Sequence, residues 1–115
     1  MQNTDRDVYF SMVIHHKYIV IERQVCPMFR LWGKEFKDNR LVKDIVVCDD
    51  TPDKSRTARI FDAVTEICLA FDLSEPIWLE SNIKEFQRRD KTRFSSDNFV
   101  ESIDFDYLEI HIIEE

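Results

Sequence analysis

The spacing of apolar residues changes period once, near residue 50, and this change restricts the chain to few architectures. Before it, apolar and polar positions alternate or run in β-branched and aromatic stretches, the signature of strands. Val8 to Ile14 and Tyr18 to Val25 form two such stretches around His15-His16-Lys17, which predicts a hairpin. Cys26-Pro27 interrupts, because proline cannot donate to a ladder. Met28, Arg30, Trp32, Lys34 and Phe36 then alternate with Phe29, Leu31 and Gly33, and Asp38-Asn39 supplies a turn before Arg40 to Cys48 alternates again. The first half reads as a four-strand antiparallel meander.

After the break, Thr51-Pro52-Asp53 offers a cap, a proline for the first helical turn and an early acid. Ile60, Phe61, Val64, Ile67, Cys68 and Phe71 recur at spacings of three and four. The helix should stop near Leu73-Ser74, since Pro76 disfavours helical geometry at Glu75. Ile77-Trp78-Leu79 forms a short apolar anchor. Ser81 is placed to cap a second helix, with Ile83 and Phe86 facing the core and an end near Arg88 or Arg89. Ser95, Ser96 and Asp97 can cap one more turn carrying Phe99 and Val100, and Asp104 to Ile113 alternates as a final strand. The expected fold class is α+β: an antiparallel sheet, made of the N-terminal meander plus the C-terminal strand, with two or three helices on one face.

At 115 residues the chain has the size of a single domain, 1–115. Its one glycine, Gly33, rules out a glycine-rich phosphate loop, a dinucleotide fingerprint and a Gly-x-Ser-x-Gly elbow. Cys26, Cys48 and Cys68 are odd in number, widely spaced and set beside apolar neighbours, so they read as buried reduced thiols rather than disulfides or zinc ligands. No cofactor or metal is expected. No apolar run reaches the length of a membrane helix and the first residues lack the pattern of a signal peptide, which predicts a cytoplasmic protein without membrane association.

Charge is distributed unevenly. Residues 1–60 carry 11 Lys/Arg against 9 Asp/Glu, and residues 61–115 carry 5 against 14. Within the second half the cations Lys84, Arg88, Arg89, Lys91 and Arg93 fall in ten positions, a candidate anion-binding cluster. Lys54, Arg56 and Arg59 crowd the start of the long helix, where the macrodipole prefers negative charge. From Phe94 onward there are seven acids and no Lys or Arg. Asp97, Glu101, Asp104, Asp106 and Glu109, with Phe94 and Phe99 as exposed anchors on a Lys91–Phe99 loop, are the candidate partner-binding residues. Asp104 and Asp106, two apart on the final strand, would project to one side. His111, two residues from Glu109, is a candidate acid/base.

The stretch from Pro76-Ile77-Trp78-Leu79 through Asn82, Glu85-Phe86 and Lys91-Thr92-Arg93-Phe94 to Asp97-Asn98-Phe99 and Ile103 to Glu109 resembles a small protein type of anaerobic Firmicutes. The likeness covers about the last 40 residues. It implies a bacterial origin and carries no activity, ligand or site residue.

The functional expectation is a small acidic, non-enzymatic interaction or regulatory protein. It would bind a partner, one of basic character, through its acidic C-terminal region, with inhibition of a nucleic-acid enzyme as a specific form. The alternatives are anion or nucleic-acid binding through Arg88 to Arg93, and a small hydrolase or nuclease. Homodimerisation through the apolar first hairpin is a further expectation.

Overall fold

In a computed structural model of the chain, residues 28–115 are described throughout. Before them, four short strands are described by their backbone pairing: Asn3–Thr4 (β1), Asp7–Val8 (β2), Met12–His15 (β3) and Tyr18–Val20 (β4). There follow Phe29–Lys37 (β5), Arg40–Asp49 (β6), the helices Arg56–Ala70 (α1) and Glu80–Arg89 (α2), Lys91–Phe94 (β7), a 3-10 turn at Ser96–Asn98, and Tyr107–Glu114 (β8). The parts of the predicted first hairpin around Val8 to Ile14 and beyond Val20 that fall between these strands lie outside the described residues, as does Cys26.

The fold is α+β, with two helices against one face of a sheet ordered β4-β3-β6-β5-β8-β7. The β6-β5-β8-β7 portion is antiparallel throughout. The order differs from a meander. β3 pairs antiparallel with β4 but lies parallel to β6, from Met12 opposite Ile45 to His15 opposite Cys48. Alternation identifies strands but not neighbours, and the second edge of β5 goes to β8, whose Leu108, Ile110 and Ile112 form an unbroken inward row. The final strand is therefore interior, flanked by β5 and β7. It begins at Tyr107, so Asp104 and Asp106 precede it and are not paired strand positions. Residues 91–94, expected as loop, form β7 at the sheet edge.

Helix boundaries also moved, for local reasons. α1 is capped by Ser55, whose hydroxyl accepts from the Ala58 N–H at 3.0 Å. The Thr51-Pro52-Asp53 signal makes a turn instead, with Asp53 in the left-handed region at φ 61°. α1 ends at Ala70 with Asp72 left-handed, and α2 starts one turn position before Ser81, with Leu79 as its N-terminal boundary. Asp38, Asn39, Asp53, Asp72 and Asp90 all have φ between 54° and 64°. Short polar side chains tolerate this region best after glycine. A chain nearly without glycine thus turns sharply with Asp and Asn, including both central residues of the β5–β6 hairpin.

α1 lies over β5 and β6, and α2 against β7. Leu31, Ile45, Val64, Ile67, Phe94, Leu108 and Ile110 are almost wholly buried between the layers. Gly33 does not have a positive φ, and its role is packing. A Cβ built there would stand 2.8 Å from two carbons of Ile67, itself fully buried, so α1 can rest on the sheet only where β5 has no side chain. Gly33→Ala is expected to lower unfolding free energy by about 2 kcal/mol in urea denaturation, the usual cost of forcing a methyl into a packed core.

Candidate interaction surface

Between the helices the chain is fixed by two buried asparagines. Asn82, on the first turn of α2, accepts from the Leu79 N–H at 3.1 Å and from Asn98 Nδ2 at 2.7 Å. Its own Nδ2 donates to Thr92 Oγ1 and to the Arg93 carbonyl, both at 2.9 Å. Asn98 accepts from the Ser95 N–H and donates to the Ile77 carbonyl, while the Ile77 N–H donates back to the Asn98 carbonyl. Each amide faces a backbone N–H on its oxygen side and a carbonyl on its nitrogen side, so their orientations are fixed by the backbone. Thr92 completes the network by donating to Glu85 Oε1 at 2.8 Å. A satisfied buried network of this kind gives one geometry to the segments it joins. Here they are residues 77–82, β7 and the 95–98 turn.

This clamp decides what the following loop presents. Phe99 and Phe105 meet edge to face, 6.1 Å between ring centres, and both are buried. Val100 is left 83 % exposed between the exposed acids Asp97 and Glu101. The Ile77–Asn98 bonds hold the loop beside Ile77, itself half exposed. Asp97 and Glu101 make no ion pair among the described residues. Asp104 is exposed, and Asp106 accepts from the Asp38 N–H at 2.9 Å, tying the loop to the β5–β6 turn.

Three of the residues expected on this surface are elsewhere. Phe94 is fully buried on β7, 5.0 Å from the ring of Trp78, and Phe99 is buried at 7 % exposure, so neither is an exposed anchor. Glu109 is 8 % exposed and lies between Lys34, at 3.3 Å, and Arg93, at 3.2 Å. Burial alone would raise its carboxyl, but Lys34 and Arg93 hold it below the ordinary value. At the loop Phe99 lies inside and its neighbour Val100 outside. The sequence carried no signal for that choice.

Ile83, expected inside, is 43 % exposed, and Phe61, Leu69, Ile77 and Leu79 are exposed too. Phe61, Thr65 and Leu69 stand four residues apart on one flank of α1, and Leu79, just before α2, stands four residues from Ile83 on its first turn. Trp78 lies between them, half-buried, edge to face with Phe61 at 5.6 Å and with Phe86 at 5.5 Å. Periodicity places a residue on a face but does not fix how wide the covered face is.

The basic cluster does not form one free patch. Lys84 pairs with Glu80 and Arg93 with Glu109, and Arg93 also stacks over Tyr107 at 4.5 Å. Arg88 and Arg89 are exposed, and Arg89 and Lys91 border a shallow cavity of about 210 Å³ that also contains Glu85 and Glu109. At the start of α1, Lys54, Arg56 and Arg59 line an open cleft of about 400 Å³ floored by Met28 and Phe29. The chain neutralises this site itself. Lys54 bridges Asp49 and Asp62, Arg56 binds Asp90 and Glu115, and Arg59 donates to the carbonyls of Asp49, Thr51 and Lys54.

Asp49 gives this end of the molecule a pH signature. Burial tends to raise its carboxyl, but the hydrogen bonds from Lys54, at 2.7 Å, and Thr51 outweigh that and bring it to about 2. The folded value is below that of an unfolded aspartate, so the stabilisation is complete above about pH 4 and is lost as pH falls toward the folded value. Wild type should lose about 2 kcal/mol more than Asp49→Asn between roughly pH 5 and pH 2, by urea denaturation at each pH.

The sheet face away from the helices carries a charge row across four strands: Asp44, Lys34, Glu109 and Arg93 stand opposite one another in register. Trp32 donates from its indole to Asp44 at 2.8 Å and lies under Lys34. His111 stands in the neighbouring row opposite Trp32 and Lys91. Burial, then Lys34 and Lys91, hold its imidazole below the ordinary value, and Glu109 is committed to Lys34 and Arg93 rather than to His111. Cys48 and Cys68 are both buried, and burial pushes the Cys68 thiol up to about 12. Among the described residues no group of three His, Cys, Asp or Glu is gathered as for a metal ion, and no helix is long and apolar enough to cross a membrane.

Comparison with protein-family models, with curated proteins and with solved structures gives no match to the chain.

Proposed function

We propose that this chain is a non-enzymatic interaction domain that docks a basic protein partner through the 95–106 loop. The observation that carries the reading is Val100, an apolar side chain projected into solvent between two acids by a loop that buried Asn98 holds in place. An apolar contact surrounded by unpaired charge is the composition of a small docking site, in which the apolar group supplies affinity and the acids supply steering and selection. Asp104 and Asp106 extend the negative field along the same loop. Inhibition of a nucleic-acid enzyme is one use of such a surface, since the groove of that enzyme would be basic.

The test is retention of proteins from a lysate of the source cell at low and high salt by wild type, by Val100→Asp with Asp97→Asn and Glu101→Gln, and by Arg88→Gln with Arg89→Gln. The reading expects one basic protein, retained at low salt, lost from the loop variant and kept by the arginine variant. Nucleic acid retained by wild type and lost from the arginine variant would favour the cationic reading instead, which rests on the exposure of Arg88 and Arg89.

A further inference from the structure

Because α1 sits over β5 and β6 while α2 sits against β7, a strip of partly uncovered apolar surface lies between the helices, centred on Trp78. Trp78 forms its floor, touching Phe61 of α1, Phe86 of α2 and Phe94 of β7. One wall is the Phe61, Thr65, Leu69 flank, and the other is Leu79 and Ile83. Leu69 is 70 % exposed, and Phe61, Leu79 and Ile83 are each at least 40 % exposed, an unusual concentration of uncovered apolar surface for two short helices. The longer wall spans eight residues, about 12 Å at 1.5 Å per residue, or roughly two turns of a docked helix. The surrounding charges are negative: Glu66 and Asp72 on the α1 side, and Glu75 and Glu80 toward α2, while Lys84 is paired with Glu80.

We propose that this groove receives a basic amphipathic helix of the partner, its apolar stripe on Trp78 and its cations toward the acidic rim. The inference rests on reading the chain as an interaction domain and names the element that domain recognises. Helices bind grooves of this kind through anchors at i, i+3 or i+4, and i+7, the spacing the walls can meet. A second copy of this chain is a poorer occupant, since two such grooves face to face would oppose acid to acid.

The experiment titrates wild-type protein into a fluorescently labelled helical peptide of leucine and lysine, with leucines at i, i+3, i+4 and i+7. The same composition scrambled and a leucine–glutamate counterpart serve as controls. Anisotropy should show saturable binding of the lysine peptide alone, weakened about tenfold in Leu69→Ser/Ile83→Ser, an effect of one hot-spot contact. Val42→Ser, at an exposed position on β6 outside the groove, should change it less than about twofold. In a Trp32→Phe background, Trp78 fluorescence should shift on binding. Equal binding of the scrambled or acidic peptide, or indifference to Leu69→Ser/Ile83→Ser, would overturn the groove assignment, as would sedimentation showing a dimer that Ile83→Ser dissociates. These failures differ from failure of the interaction reading, which appears as lysate capture insensitive to the loop variant.

Discussion

Replacing Phe94 with alanine is expected to cost about 4 kcal/mol of unfolding free energy, the range for removing a ring from a closed core. Phe94 has no exposed surface, stands edge to face with Trp78 and projects from the edge strand into the layer beneath α2. Collapse around the missing ring is limited because its neighbours are pinned, Thr92 by Asn82 and Trp78 by its contacts with Phe61 and Phe86. A domain of this size has a total stability of about 5–15 kcal/mol, so the variant should be partly unfolded near 37 °C. Urea denaturation with near-ultraviolet circular dichroism measures it. The result also separates roles: loss of binding in Phe94→Ala must accompany loss of structure, whereas Val100→Asp should leave stability unchanged within about 0.5 kcal/mol.

Asn82→Ala is the second large effect, expected at about 3 kcal/mol. Two donors and two acceptors lose their partner inside the protein, and a buried polar group left unpaired costs about 1–3 kcal/mol, only partly relieved by local relaxation. Asn82→Asp is no rescue, because it sets a carboxylate against Thr92 Oγ1 and the Arg93 carbonyl. The damage should spread unevenly. Amide hydrogen exchange should accelerate first at residues 77–82 and 95–98, which the network joins, before it does so in β5 and β8. If exchange instead rises uniformly, Asn82 supports the whole core rather than the loop.

Local periods made most of the elements legible. The alternation of β5, β6 and β8 and the three-and-four spacing of α1 follow from which side chains must face one layer. Pairing was less legible, because β5 could have taken β4 or β8 as its second neighbour and only competition among complete strands decides. Lys91–Phe94 is a strand of four residues, too short an alternation to separate strand from turn in the sequence. The surface was the hardest part. Charge marks Asp97 and Glu101, but the anchors expected beside them, Phe94 and Phe99, are both buried, and the exposed apolar side chain is Val100. Asn82 and Asn98 gave no signal at all, since an asparagine that organises a loop from inside has the same letter as one on a turn.

The most direct measurement is hydrogen–deuterium exchange of the chain alone and in complex with the basic protein it retains. Protection concentrated at residues 75–83 and 96–102 is the outcome expected if the acidic loop and the adjoining groove form the docking face. Protection over Arg88 to Arg93, or over the sheet face bearing Lys34 and Glu109 with residues 96–102 unchanged, would contradict it.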